Sequence, residues 1–349
     1  MNLNTLNELL PALAIAGANI GLLGQPGVGK TEFVRSWAKT LKASDIRPDL
    51  AEPGDDQKPV RFISIPVSTK EAVDVSGLMQ IQDGVTKWAP PEWVPRDNAV
   101  CIVFLDEFAQ ADIAVQNAFQ KLIDRDLDGC KVSERALFVI ASNRPEDKSG
   151  VNDMPMHIRN RFAWFDIETD VSGWRAWAEQ NGVHQTVIDF IAFRPSMLNQ
   201  FDPKSKANAY ATPRSVTRFA KVIENAKPIN WMPLATAICG ATWAAEFEQF
   251  RRLQKDLPSI DEVLRNPETH VLPQEFGVLN AMSTAIVRAA ARDKTKVDAV
   301  LTIIERMYNN GSCEVASKTI RDLVKAVPAV QVNPKADPLF NRLGNILAG

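Results

Sequence analysis

Histidine and cysteine are scarce in this chain: three and four residues among 349. The cysteines (Cys101, Cys130, Cys239 and Cys313) stand far apart with no C-x-x-C pair, and no histidine lies near one. That spacing argues against a structural metal site, and scattered thiols suit a reducing compartment. The three histidines, His157, His184 and His270, have no motif around them. No nucleophile–base arrangement can be built on them, and each is expected as an ordinary surface or core residue. Charge of one sign is also lacking, with 40 Lys+Arg against 42 Asp+Glu and a formal net charge of −2. Global charge therefore gives no reason to expect nucleic-acid binding, although a local basic patch stays open. No signal pattern, no apolar run of membrane-spanning length, no repeat and no long low-complexity tract is evident, so a soluble cytoplasmic protein is expected.

What the chain does have is a 45% hydrophobic composition, enough for a sizeable core and two or more domains. Near its start stands GLLGQPGVGKTEF. The segment Gly24, Gln25, Pro26, Gly27, Val28, Gly29, Lys30, Thr31 fits the phosphate-binding pattern G-x-x-x-x-G-K-S/T. Glycines let backbone N–H groups converge on an anion, and a helix beginning near Gly29 aims its positive dipole end at the same place. Lys30 would reach the outer phosphates of a nucleotide and the Thr31 hydroxyl would sit on Mg²⁺. Context agrees: residues 18–23 read as a short buried strand and residues 30–41 as a helix.

Residues 100–105, VCIVFL, form a second apolar run, typical of a strand buried on both faces, and end in Asp106-Glu107. Carboxylates at that end of a parallel strand face the crevice where doubly wound sheets bind ligands. Asp106 would hold Mg²⁺ and Glu107 would polarise an attacking water. A third run, ALFVIA at 136–141, is followed by Ser142-Asn143, and the Asn143 amide could bond a phosphate or position water.

These elements, with MHIRNRF at 156–162 and ATPRSVTRF at 211–219, resemble the Walker A, Walker B, sensor 1, arginine-finger and sensor 2 elements of AAA+ ATPases. DVSGL followed by GVTKWAPPEWVP is similar to the segment before the Walker B strand in the MoxR-like branch. The resemblance covers roughly residues 19–220. It implies that Arg161, or failing it Arg159, reaches the terminal phosphate of a neighbouring subunit's ATP, and that Arg214 contacts phosphate within its own subunit. Thr212 and Pro213 make a sound start for the helix that carries Arg214. It also implies ATP and Mg²⁺ as cofactors, a homo-oligomeric ring of hexameric type, and a protein substrate or partner, with a von Willebrand factor A domain one such partner.

Asp83-Gly84 between short alternating segments predicts a hairpin over 79–88. Trp88, Trp93 and the prolines around them are either a contact surface or an anchor, and the resemblance implies an insertion facing a ring's pore. Residues 125–132 are expected as a loop on the same face, and the Asp- and Pro-rich residues 44–59 as a surface loop. Beyond residue 171 the pattern turns helical, with candidates at 183–193, 213–226, 232–253, 275–292, 297–308 and 316–327. Residues 258–273 read as irregular. Trp231, Trp243, Phe247 and Phe250 at near-helical spacing are expected to pack in a core.

The expected fold is α/β: a P-loop NTPase αβα domain with a parallel sheet over 1–170, a helical lid over 171–255 and a helical C-terminal extension over 256–349. The expected function is a magnesium-dependent ATPase that remodels or activates a partner protein. The rival expectation is a nucleic-acid motor or loader with the same ATPase elements.

Overall fold

The computed structural model describes residues 1–147, 150–226, 230–255 and 257–347. Residue 256, the expected start of the C-terminal extension, lies outside them. Nine strands run through the described residues: β1 (Ile20–Gly24), β2 (Arg61–Pro66), β3 (Leu78–Gln82), β4 (Val85–Ala89), β5 (Cys101–Asp106), β6 (Asp126–Leu127), β7 (Cys130–Lys131), β8 (Ala136–Ser142) and β9 (Ala163–Ile167). Five of them form one parallel sheet in the order β2-β5-β8-β1-β9. The continuous apolar runs of β5 and β8 are buried along almost their whole length, because helices cover both faces.

Alternation along these strands divides the core in two. Ile102, Phe104, Leu137 and Val139 face one side, where α1 (Leu3–Ala16) and α2 (Lys30–Thr40) supply Leu6, Leu10, Val34 and Trp37. Val103, Leu105, Phe138 and Ile140 face the other, packed with Phe108 and with Phe119 and Leu122 of α4 (Ile113–Ile123), while the short α3 (Ala72–Ser76) adds Val75. This is the expected αβα arrangement. The helix α1 was not expected. Pro11 falls in its middle and disguises it, but Asn2 caps its start by accepting from Thr5 N, and Gly17 ends it with φ 63°.

The chain separates into two compact units. The first holds Met1–Trp177 and Asn199–Arg218, including α5 (Met156–Arg159) and most of α6 (Val171–Gln180). The second holds Ala178–Leu198 and Phe219–Gly349. It contains α7 (Gln185–Phe193), the later part of α8 (Pro213–Ala226), α9 (Met232–Cys239), α10 (Ala241–Lys255), α11 (Ile260–Arg265), α12 (Phe276–Arg292), α13 (Val297–Asn309), α14 (Cys313–Ala326) and α15 (Asp337–Leu347). In this unit Trp243 packs edge-on to Phe190 and Phe219, each with ring centroids 5.1 Å away, and stacks on Phe247 at 4.9 Å. Phe250 is buried with them, so these aromatics are core, as their spacing predicts. Trp231 is only half-buried, with the Arg251 guanidinium 4.0 Å above its ring. A second apolar cluster joins Ile286, Ile303, Ile304, Met307, Ile320 and Leu323 of α12 to α14.

Three expectations need correcting. Residues 232–253 are two helices, because Gly240 with φ 94° breaks the run. Residues 258–273 contain a helix, α11, rather than being irregular throughout. Residues 125–132 are not a plain loop but form the small β6–β7 hairpin, which follows α4 and precedes the first residue of β8. Residues 44–59 are the expected surface loop, largely exposed but pinned at the buried Ile46 and Asp55. Asp55 is buried and bonds Arg135 Nη1 at 2.6 Å, while Arg135 Nη2 and Nε donate to the carbonyls of Ala43 and Ile46.

The β3–β4 hairpin turns at Asp83 and Gly84, both with positive φ (54° and 75°), as the dipeptide predicts. Met79 pairs with Trp88 and Ile81 with Thr86, so these four side chains share one face, and Ile81 is 83% exposed. Trp93 does the opposite, packing 6.2 Å from the Phe119 ring. The aromatic segment is therefore an exposed hairpin followed by an anchor.

Candidate functional site

The loop after β1 needs its glycines for two separate reasons. Gly27 (φ 80°) and Gly29 (φ 103°) adopt left-handed conformations. A Cβ on Gly24 would also come within 2.6 Å of the Ile167 carbonyl, and one on Gly27 within 2.7 Å of Thr212 Oγ1. Lys30 opens α2 and is only 8% exposed. Its ammonium donates to Gly24 O at 2.6 Å, Gln25 O at 3.1 Å and Asn143 Oδ1 at 3.4 Å. Burial pushes its pKa down to about 8. The Asp106 and Asp147 carboxylates oppose that shift, and the positive charges of Arg214 and Arg144 add to it.

The parallel register places Pro66 beside Asp106 and Leu23 beside Ser142, which brings the ends of β2, β5, β8 and β1 to one crevice. Thr31 Oγ1 donates to Asp106 Oδ2 at 2.9 Å across it. Asp106 Oδ1 accepts from Glu107 N at 3.0 Å, and Glu107 takes a left-handed φ of 54°, rare for a residue with a side chain. Its Oε2 accepts from Ser68 Oγ at 2.5 Å. Behind Asn143, Ser142 Oγ accepts from Ala109 N and donates to Gln110 Oε1, joining the end of β8 to the turn after Glu107. Thr212 caps α8 by accepting from Ser215 N at 3.2 Å, and Arg214 N donates to Gly27 O at 3.2 Å. Gln25 Oε1 accepts from Asn199 Nδ2 at 2.7 Å, which ties the loop to a further segment of the first unit.

Lys30, Thr31, Asp106, Asn143 and the backbone of Arg214 thus come together with the loop residues Gly24, Gln25, Pro26, Gly27, Val28 and Gly29, with Glu107 beside them. Arg159 and Arg161 do not. They precede β9, whose first residue Ala163 pairs with Ile20 at the start of β1, so they sit at the opposite end of the sheet. Arg161 is held by Asp124, with Nη2 to Oδ2 at 2.9 Å, and by the His157 carbonyl. Arg159 is more exposed, facing Asp153 at 3.9 Å. Among the described residues no group of three or more His, Cys, Asp or Glu side chains is placed to hold a metal ion. Ser68, Arg144 and Asn199 were missed at the sequence level. Ser68 and Arg144 each stand two residues past a strand end and carried that much signal, but Asn199 carried none.

A parallel αβα sheet, a glycine-rich loop between its first strand and helix, and a strand ending in Asp-Glu define a P-loop NTPase fold. Residues 19–162 match the family described as AAA domain (dynein-related subfamily). That segment runs from just before β1 to just before β9 and contains every site residue named above except those of β9 and beyond. No curated protein matches the chain. Among solved structures, NtrX from Brucella abortus is similar at 14% identity and a TM-score of 0.39, over 66% of this chain and 52% of that one. This chain therefore spans about half of that NtrX chain. A mutant RuvB from Thermotoga maritima is similar at 16% identity and a TM-score of 0.37, over 76% of this chain and 75% of that one.

Proposed function

We propose that this protein is a magnesium-dependent ATPase of the AAA+ type, working as a MoxR-like ring that remodels or activates a partner protein. The observation that carries the reading is the convergence of the buried Lys30 ammonium and the Thr31–Asp106 pair on one glycine loop, with Glu107 adjacent. The side chains fit the groups the reaction needs. A hydroxyl and a carboxylate suit a hard cation such as Mg²⁺, and a buried ammonium with a depressed pKa gains most from an anionic partner. Bound there, Mg²⁺ would neutralise charge developing on the phosphates.

Lys30 and the loop N–H groups hold the phosphates, Asp106 and Thr31 hold the cation, and Asn143 orients the terminal phosphate. Glu107 takes a proton from the attacking water once its carboxylate leaves Ser68. The arginine from a neighbouring subunit is Arg161 or Arg159, consistent with both lying far from their own chain's loop. Arg214 acts in cis. Residues 171–255 serve as the lid and 256–349 as a helical extension. The exposed Met79, Ile81 and Trp88 face meets the protein partner, for which a von Willebrand factor A domain is the candidate. Lys30→Ala should abolish ATP binding, while Glu107→Gln should bind ATP and fail to hydrolyse it. Equal loss of binding in both, with the fold intact, would reject the assignment.

A further inference from the structure

Arg144 has no part in the reaction above, yet its side chain spans the site. It stands directly after Asn143, past the end of β8, and its N–H donates to Asp147 Oδ2 at 3.1 Å. Its guanidinium reaches β9, where Nη2 donates to the Ile167 carbonyl at 3.1 Å and Nε faces Asp166 Oδ1 at 3.3 Å. In the sheet β1 lies between β8 and β9, with Leu23 beside Ser142 and Gly24 beside Ile167. The arginine therefore bridges two strands across the residue where β1 becomes the phosphate loop. The Ile167 carbonyl it bonds is the same atom against which Gly24 packs too closely for any Cβ.

We infer that Arg144 is a positioning residue that straps the ends of β8 and β9 together over Gly24, fixing the Asn143 amide and the Lys30 ammonium in mutual register. The inference rests on the ATPase reading. The geometry favours a strap over a phosphate contact because Nη2 is already bonded to the Ile167 carbonyl and Nε lies within ion-pair distance of Asp166, groups on β9 rather than on the loop. Its fork shape matters, since two separate nitrogens meet the carbonyl and the carboxylate, which a single lysine ammonium would have to reach from one atom. Its charge still lies close enough to Lys30 to oppose that ammonium, as would any cation beside the phosphates.

The test uses the full chain and measures ATP affinity, kcat and KM separately. Arg144→Ala and Arg144→Lys should each lower kcat by about tenfold to a hundredfold, with ATP affinity within about threefold of wild type. Asp166→Asn, at a largely exposed carboxylate, should act in the same direction more weakly, and it carries the test if Arg144→Ala does not fold. Loss of ATP binding in Arg144→Ala, as in Lys30→Ala, would make Arg144 a direct phosphate ligand and overturn the strap. So would full rescue by lysine, or an unchanged kcat in Asp166→Asn with Arg144→Ala unfolded. Wild-type protein that binds no ATP would reject the ATPase reading itself, and the strap with it, whereas normal wild-type turnover with normal Arg144→Ala turnover rejects the strap alone.

Discussion

Burying an ammonium to meet a ligand leaves a cost that can be measured without the ligand. The Lys30 pKa falls from 10.5 to about 8 in the folded chain. At about 1.4 kcal/mol per pKa unit, the charged form weakens the nucleotide-free fold by roughly 3 kcal/mol at neutral pH. Between pH 8 and 10.5 the unfolded chain holds a proton that the folded chain has released, so this cost disappears as pH rises through that window. Lys30→Met keeps the bulk and removes the titration. At pH 7 its benefit is partly cancelled, because the Gly24 and Gln25 carbonyls lose a charged donor worth about 1.5–3 kcal/mol. The absolute difference at pH 7 is therefore small, and the slope is diagnostic. Urea denaturation of both proteins without nucleotide, at steps from pH 7 to 10, should show wild type gaining stability on Lys30→Met by about 1.4 kcal/mol per unit above pH 8. All other titrating groups are common to both chains and cancel. Parallel stability curves would refute the buried-ammonium argument.

The same titration should weaken ATP binding above pH 8, since phosphate is met by the protonated lysine; an affinity flat from pH 7 to 10 would contradict it. Ser68→Ala frees one oxygen of Glu107 and should raise basal ATPase with an unchanged melting temperature, so a lower rate would show that Ser68 assists rather than restrains. Ile81→Ser and Met79→Ser, both at exposed positions, should change stability by no more than about 0.5 kcal/mol while abolishing stimulation by a protein partner; a clear fall in melting temperature would make the hairpin structural. In mixed rings, Arg161→Ala and Glu107→Gln subunits should recover turnover that neither shows alone, and a dilute monomer hydrolysing at full rate would exclude a shared site.

The phosphate loop and the Asp106-Glu107 pair were legible because each is a local event: an apolar run that stops, followed at once by residues with particular chemistry. Their convergence was only inferable, since β1 and β5 are separated in the sheet by β8 and no stretch of sequence records strand order. Ser68 illustrates the limit. Its position after β2 is visible, but that Glu107 lies within reach depends on the β2–β5 register. Helix patterns were read well where apolar spacing was uninterrupted and badly where one residue overrode it. Pro11 concealed a helix that its buried Leu6, Leu10 and Ala14 hold together, and Gly240 cut a pattern that apolar spacing alone would continue.

The Asp55–Arg135 pair joins residues 80 apart, and neither composition nor periodicity points to it. The Glu52 N–H, the Arg135 guanidinium and Lys58 together hold the Asp55 carboxyl well below the usual range. Its consequence is a rule about length. By composition, residues 44–59 look like a connection that evolution or an engineer could shorten or swap freely. Arg135 is 1% exposed, and its other donors are satisfied by the Ala43 and Ile46 carbonyls at the near end of that same segment. Deleting residues between Ile46 and Asp55 would pull one end of this clasp from the other and leave a buried guanidinium without its carboxylate beneath the start of β8. The segment should therefore accept insertions at Gly54, whose surroundings are open, far better than it accepts deletions.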